Sequence, residues 1–302
     1  MKEKNKSWVP AYLALGIIWG CSFIFIKFGL EFLTPVGVAF GRCALGALAL
    51  TLISKFRKIS FPREPKLWLH LWVVALLLNV LPGVLFAYAE IRVTSILAGM
   101  INAVTPLTTL LAMLILFRGE KVERYKIFGL AIGFLGVLTL LGSWHGFGQN
   151  PPLAVFALLG AVTCYGVSFP YIRKFILPAK LPPEALATAQ VSLAALTLLP
   201  LYFVTGVART SSRPVSILAM LTLGILGTGY AYILNFKIMA AAGSAIASTV
   251  TYLTPVVAVV VGLLFLGEKI KWYQELGGVI ILIGAAVGQG RIRISRVEKL
   301  RV

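Results

Sequence analysis

Apolar residues fill this chain in long runs, separated by short polar or basic stretches. Ten runs stand out, at 9–28, 35–54, 67–88, 94–117, 125–142, 152–172, 184–205, 215–236, 244–266 and 273–290. A helix of about 20 residues rises through about 30 Å, the depth of a bilayer's hydrocarbon. Backbone groups find no water at that depth, so each run must satisfy its own hydrogen bonds as a helix. The strict alternation of barrel strands is absent from the runs. The pattern predicts an all-α integral membrane protein with ten transmembrane helices.

The pattern also repeats. Residues 95–136 align with 243–284, placing Thr105-Pro106 on Thr254-Pro255, Gly119-Glu120-Lys121 on Gly267-Glu268-Lys269, and Tyr125 on Tyr273. A one-residue indel separates the pairs. Further upstream the likeness is weaker: Trp19 falls on Tyr165, Gly20 on Gly166 and Ser22 on Ser168. Pro35 and Pro183 open the second helix of each half, and Arg42 then falls on Gln190. The turn-rich stretch 143–152 joins a first five-helix repeat, 8–142, to a second, 152–290, and leaves a basic tail at 291–302. Five is odd, so the second repeat enters the membrane from the opposite face. Two inverted five-helix repeats around a central cavity are expected, the arrangement in which two halves rock about a shared midplane site.

Composition agrees: 59% of residues are hydrophobic and 13% charged, outside the range of soluble domains. The formal charge of +18 raises a nucleic-acid reading, which its distribution counters. Of the 28 Lys and Arg, 21 fall on the side holding both termini and the loops after helices 2, 4, 6 and 8; six fall on the other side. By the positive-inside rule both termini are cytoplasmic in a multi-pass plasma-membrane protein. The tail is then an anchor with affinity for anionic membrane lipids, and no nucleic-acid partner is expected. The first run is too long for a secretory leader and lacks a small-residue cleavage site, so it is expected to stay as a helix. Cys21, Cys43 and Cys164 lie inside predicted helices without metal or redox spacing, and read as packing thiols.

Trp19-Gly20-Cys21-Ser22-Phe23, Lys27, Arg42, the duplicated Thr-Pro pairs and the Gly-Glu-Lys after each resemble the drug/metabolite transporter superfamily, in its EamA-type ten-helix form with two EamA repeats. The resemblance covers about 280 residues. It implies a carrier of small metabolites, often an exporter of amino acids or related compounds. It also implies a cavity walled by helices 1, 3, 4, 6, 8 and 9.

Several residues suit such a site. Pro106 and Pro255 fall mid-run, where proline removes a hydrogen bond and kinks or breaks a helix. Asn102, Thr105, Tyr252 and Thr254 bring polar groups to the same depth, although hydroxyls that bond back to their own carbonyls are the packing alternative. Arg42 near the bilayer centre costs on the order of 3 kcal/mol on insertion scales. It either faces an aqueous cavity and an anionic solute, or snorkels and braces its helix. Trp19 and Tyr165 sit mid-helix at equivalent positions, suited to stacking on a solute or to plain packing. Ser22, Asn79, Tyr88, Ser168, Gln190 and Tyr230 complete the candidate substrate-binding set. Lys27 ends the first helix within reach of Glu31 and reads as an interface anchor. Gly129, Gly133 and Gly136, with Gly277 and Gly284, read as close-packing faces of two scaffolding helices.

No metal site, cofactor or enzyme activity is expected. His70 and His145 are the two histidines, and no HExxH, Gly-x-Ser-x-Gly or buried carboxylate pair is present. No Asp or Glu occupies the middle of a run; Glu31 and Glu90 lie at helix ends. Downhill or exchange transport is therefore the simpler expectation, with coupling through an end carboxylate such as Glu90 left open. The expected function is a carrier moving, by export, a small polar or amphipathic metabolite such as an amino acid through alternating access, with ten helices sufficient for a monomer. The alternative is a membrane receptor or scaffold that transports nothing.

Overall fold

The computed structural model describes residues 8–117, 124–145, 150–206, 213–288, 290 and 292. Among these residues the chain is helical, with no strand. Eight helical runs are long and apolar enough to cross a membrane: α1 (Val9–Gly29), α2 (Pro35–Phe56), α3 (Pro65–Glu90) and α4 (Ser95–Ile115) before the junction, then α6 (Pro152–Ala179), α7 (Pro183–Thr205), α8 (Pro214–Ala242) and α9 (Ser244–Leu266). Each half closes with a shorter helix of 17 residues, α5 (Arg124–Leu140) and α10 (Trp272–Gly288). At 1.5 Å per residue these two rise about 26 Å, short of a full hydrocarbon core. The protein is a multi-pass membrane protein, and the outward faces of its helices are accordingly apolar. Phe203 and Leu264 are each 74% exposed, a placement that hydrocarbon accepts and water does not.

Local chemistry fixes many helix starts. Prolines open α2, α3, α6, α7 and α8, where the missing N–H is one the helix would leave unpaired anyway. Thr34 and Thr94 cap α2 and α4, each hydroxyl accepting from the backbone N–H three residues on at 3.1 Å.

The long runs are interrupted at matching places. α4 breaks between Asn102 and Thr105, and α9 passes through a tight 3-10 turn at Thr249–Tyr252. Pro106 and Pro255 stand in the first turn of the segments that resume, Thr105–Ile115 and Thr254–Leu266. α3 and α8 carry wide π-helical turns at Leu76–Val80 and Ile225–Tyr230. The register that sets Thr105 on Thr254 also sets Leu76 on Ile225. Asn79, Pro82 and Gly83 on α3, and Gly224, Gly227 and Gly229 on α8, stand in or beside these turns.

α5 and α10 pack along most of their length, through glycine. A Cβ on Gly136 would fall 2.6 Å from the Ile281 nitrogen, and Cβ atoms on Gly129, Gly277 or Gly284 would overlap the facing backbone outright. The two helices meet backbone to backbone, as predicted, and lie outside the cavity wall.

Side chains tie the helix ends together. Where α1 ends, Lys27 donates to the carbonyls of Glu90 (2.6 Å) and Val93 (2.5 Å) and so caps the C-terminus of α3. The expected reach to Glu31 is not made; Glu31 instead accepts from Arg213 and Ser216 at the start of α8. Burial pushes the Glu31 carboxyl up, but the hydrogen bonds from Ser216 and Arg213, with the Arg213 charge, hold it below the usual carboxylate range. At the opposite end of the bundle Arg57, after α2, pairs with Glu184 at the start of α7 at 3.2 Å. Gly119-Glu120-Lys121, His145's side chain and all of the basic tail except Ile292 lie outside the described residues.

Candidate substrate cavity

A cavity opens at mid-depth, lined by Trp19, Ser22, Phe23 and Ile26 of α1, Arg42 of α2, Leu78 and Phe86 of α3, Asn102 of α4, Tyr165 and Phe169 of α6, Tyr232 of α8, and Thr251 of α9. About 530 Å³ of space free of protein atoms lies within it, the open mouth included. The irregular segments explain why the space exists. The wide turns of α3 and α8 and the breaks of α4 and α9 all fall at this depth, so four of the walls cannot close up as straight cylinders.

Arg42 is 9% exposed and its Nε donates to the Thr228 hydroxyl at 3.0 Å. That hydroxyl in turn bonds to the Leu223 carbonyl at 3.0 Å, inside the wide turn of α8. Arg42 makes no further hydrogen bond among the described residues, and it is one of the residues that line the cavity. The aromatic walls are built in pairs. Trp19 meets Tyr232 edge-on at 6.1 Å, and Tyr165 stacks on Phe86 at 5.8 Å. Tyr232 is fixed by a 2.7 Å bond from its hydroxyl to the Leu78 carbonyl in the wide turn of α3.

Asn102 links the two helix breaks. Its Nδ2 donates to Thr254 Oγ1 at 3.2 Å, and its Oδ1 accepts from Thr105 at 3.4 Å. Most other hydroxyls follow the packing alternative: Thr108 and Thr109 bond to the Thr105 carbonyl, Thr251 to Ser248 and Thr254 to Thr251. Ser22, which borders the cavity, bonds to Ile18 in the same way.

Of the candidate residues, Trp19, Ser22, Arg42, Asn102 and Tyr165 meet at the cavity. Thr105 and Thr254 stand one layer behind it, reached through Asn102. Asn79 and Gln190 pair with each other at 2.6 Å behind the wall, and Ser168 bonds to its own Tyr165 carbonyl. Tyr88 lies under Arg92 at 5.3 Å and is not among the lining residues; nor is Tyr252. Tyr230 is placed elsewhere altogether, 46% exposed on the outer face of α8. Phe23, Ile26, Leu78, Phe86 and Phe169 line the cavity without any polar contrast to betray them. Tyr232 and Thr251 carried the signal of an aromatic or hydroxyl near a break.

One further arrangement went unread. Glu268 of the second Gly-Glu-Lys accepts from Ser95 N (2.8 Å), Ser95 Oγ (2.9 Å) and Ile96 N (3.0 Å). A carboxylate at a helix N-terminus satisfies orphan donors and the positive end of the helix dipole. Ser244, which occupies the equivalent place at the start of α9, has a buried hydroxyl with no partner. Glu120, in repeat register with Glu268, lies outside the described residues.

Helices broken at mid-depth around a polar and aromatic cavity, inside an apolar exterior, define the membrane-carrier class. The chain belongs to the EamA-like transporter family, whose pattern matches residues 6–142 and 152–287. It is 28% identical over 275 residues to an uncharacterized transporter of Archaeoglobus fulgidus, covering 89% of this chain and 92% of that one. It is 27% identical over 285 residues to the uncharacterized inner membrane transporter YedA of Escherichia coli, covering 93% and 90%. The uncharacterized transporter YvbV of Bacillus subtilis is 22% identical over 94% of this chain and 92% of its own. A crystal structure of a protein with 18% identity superposes with a TM-score of 0.69 over 96% of this chain and 99% of its own, a likeness of fold.

Proposed function

We propose that this transporter-family protein exports a small polar or amphipathic metabolite bearing an anionic group, an amino acid or related compound, by alternating access. The observation that carries the reading is Arg42: a guanidinium whose Nε alone is engaged by protein, set among aromatic side chains in a cavity at mid-depth. A carboxylate would take the free fork of the guanidinium in charge-assisted bonds, and the apolar remainder of the solute would lie between the Trp19–Tyr232 and Phe86–Tyr165 pairs.

The same reading takes α5 and α10 as the fifth and tenth spans of a monomer built from two inverted repeats. Its support is the side-chain ties: the ends of α1, α3 and α9 lie with the starts of α4 and α8, so α1 and its equivalent α6 run in opposite directions. The concentration of Lys and Arg on one side supports cytoplasmic termini in the plasma membrane.

Counterflow in proteoliposomes preloaded with a pool of amino acids, nucleosides and organic acids tests the function. One solute class is expected to exchange. Losing a charge-assisted bond costs about 1.5–3 kcal/mol, so Arg42→Ala should weaken apparent affinity roughly 10- to 100-fold, with Arg42→Lys between it and wild type. Exchange that Arg42→Ala leaves untouched would move the site off α2.

A further inference from the structure

Glu90 is the one ionisable side chain among the buried groups left without a hydrogen-bond partner in the described residues. It is 1% exposed, and neither carboxyl oxygen is bonded. The Lys27 ammonium lies close by but donates to the main-chain carbonyls of Glu90 and Val93 and to neither carboxyl oxygen. The charges that reach Glu90 are Lys27 from α1, Arg42 from α2 and Glu268 from the end of α9. The facing segments of α4 (95–102) and α6 (152–163) carry no titratable group.

Burying a carboxyl group without a hydrogen-bond partner is costly, so the group calls for a partner that the surrounding side chains do not supply. Glu90 stands one helical turn beyond Phe86, which lines the cavity, and Lys27 follows Ile26, which also lines it. On its other side is the Glu268–Ser95 clasp, whose Ser95 is likewise 1% exposed. The acid therefore sits between the cavity and a closed end of the bundle. It meets water when that end opens, as alternating access requires.

From this placement we propose that Glu90 is a proton-binding site that couples solute movement to the transmembrane proton gradient. With the end closed, the carboxyl keeps its O–H bond. With the end open, the proton passes to water and the carboxylate is hydrated. The proposal deepens the carrier reading and rests on it for the coupling, though not for the proton site itself.

Infrared difference spectra of the protein in proteoliposomes, taken across a pH titration, use the proton alone as probe. Wild type and Glu90→Asp should show the C=O stretch of a protonated carboxyl at neutral pH, and Glu90→Gln should lack it. Size-exclusion elution and helical circular dichroism establish that each variant is folded. Identical spectra for wild type and Glu90→Gln would overturn the proposal. In the transport arm, an imposed pH gradient of one sign should concentrate the exchanged solute at least tenfold in wild-type vesicles. Glu90→Gln should lose that accumulation and Glu90→Asp should keep part of it. Wild-type exchange that ignores gradients of both signs would also overturn the coupling. A wild type that keeps the infrared band but exchanges nothing in the pool refutes the carrier reading and supports the proton site.

Discussion

Arg42 and Glu31 show how differently two charged residues answer to their surroundings. Arg42 lies inside the apolar wall and is legible in the sequence because nothing around it is charged. Its anchor was not legible: Thr228 is 186 residues away and reaches Arg42 through a wide turn that local pattern does not announce. Glu31 lies in the short connection between α1 and α2, where the sequence suggested Lys27 as its partner. Lys27 instead meets carbonyls at the end of α3, since three ammonium donors suit unpaired carbonyls and a helix C-terminus together. Glu31 turns to Arg213 and Ser216. Its carboxyl is held below the usual range in the folded protein, so its contribution to stability is present above the unfolded carboxylate value, about 4.3. The contribution is lost as pH falls through the lower folded value. Thermal melts of wild type and Glu31→Gln in detergent should therefore differ at neutral pH and converge in acid. A gap that persists or widens on acidification would refute the assignment.

The wide turns on α3 and α8 also explain which aromatic candidates were misplaced. A π-helical turn inserts one extra residue, so a face projected from one side of it is rotated by about 100° on the other. Tyr230 ends such a turn and Tyr232 follows it, and the structure puts the first outside and the second in the cavity. Aromatic type alone did not separate them. Phe86 and Phe169 were hidden for another reason: an apolar cavity wall and an apolar lipid face read alike in a membrane helix. The helix breaks were easier to read, because proline and threonine stand out there and the repeat shows them twice. The glycine spacing of α5 and α10 was equally plain, since close approach of two backbones needs the absence of a Cβ. Gly284→Leu would drive a side chain into the backbone at Gly133. The variant should melt well below wild type and express poorly, whereas Val279→Leu, on the 53% exposed outer face of α10, should match wild type. Equal melting of Gly284→Leu and wild type would show that the two helices do not rely on this contact.

Across the whole molecule the sequence carried the helical architecture well, because lipid forces each span to declare itself in composition. Which spans touch was mostly beyond it, since contacts between helices far apart in the chain depend on rotation about each axis. Orientation is a property of this scale alone, and the basic bias makes it testable. With native cysteines removed, Ser295→Cys should react with a membrane-impermeant thiol reagent only after cells are permeabilised, while Asn150→Cys should react in intact cells. Labelling of Ser295→Cys in intact cells would invert the assignment. The clasp at Ser95 has a consequence in time as well as in space. Its carboxylate comes from Glu268, 173 residues later, so ribosomes complete α4 with its local Thr94 cap well before the clasp on Ser95 and Ile96 exists. The Ser95 and Ile96 amide hydrogens must remain bound to water or headgroups through most of synthesis. Closure of this end is thus among the last events of biogenesis, and a chain truncated before Glu268 reaches the membrane with that end of the bundle unsealed.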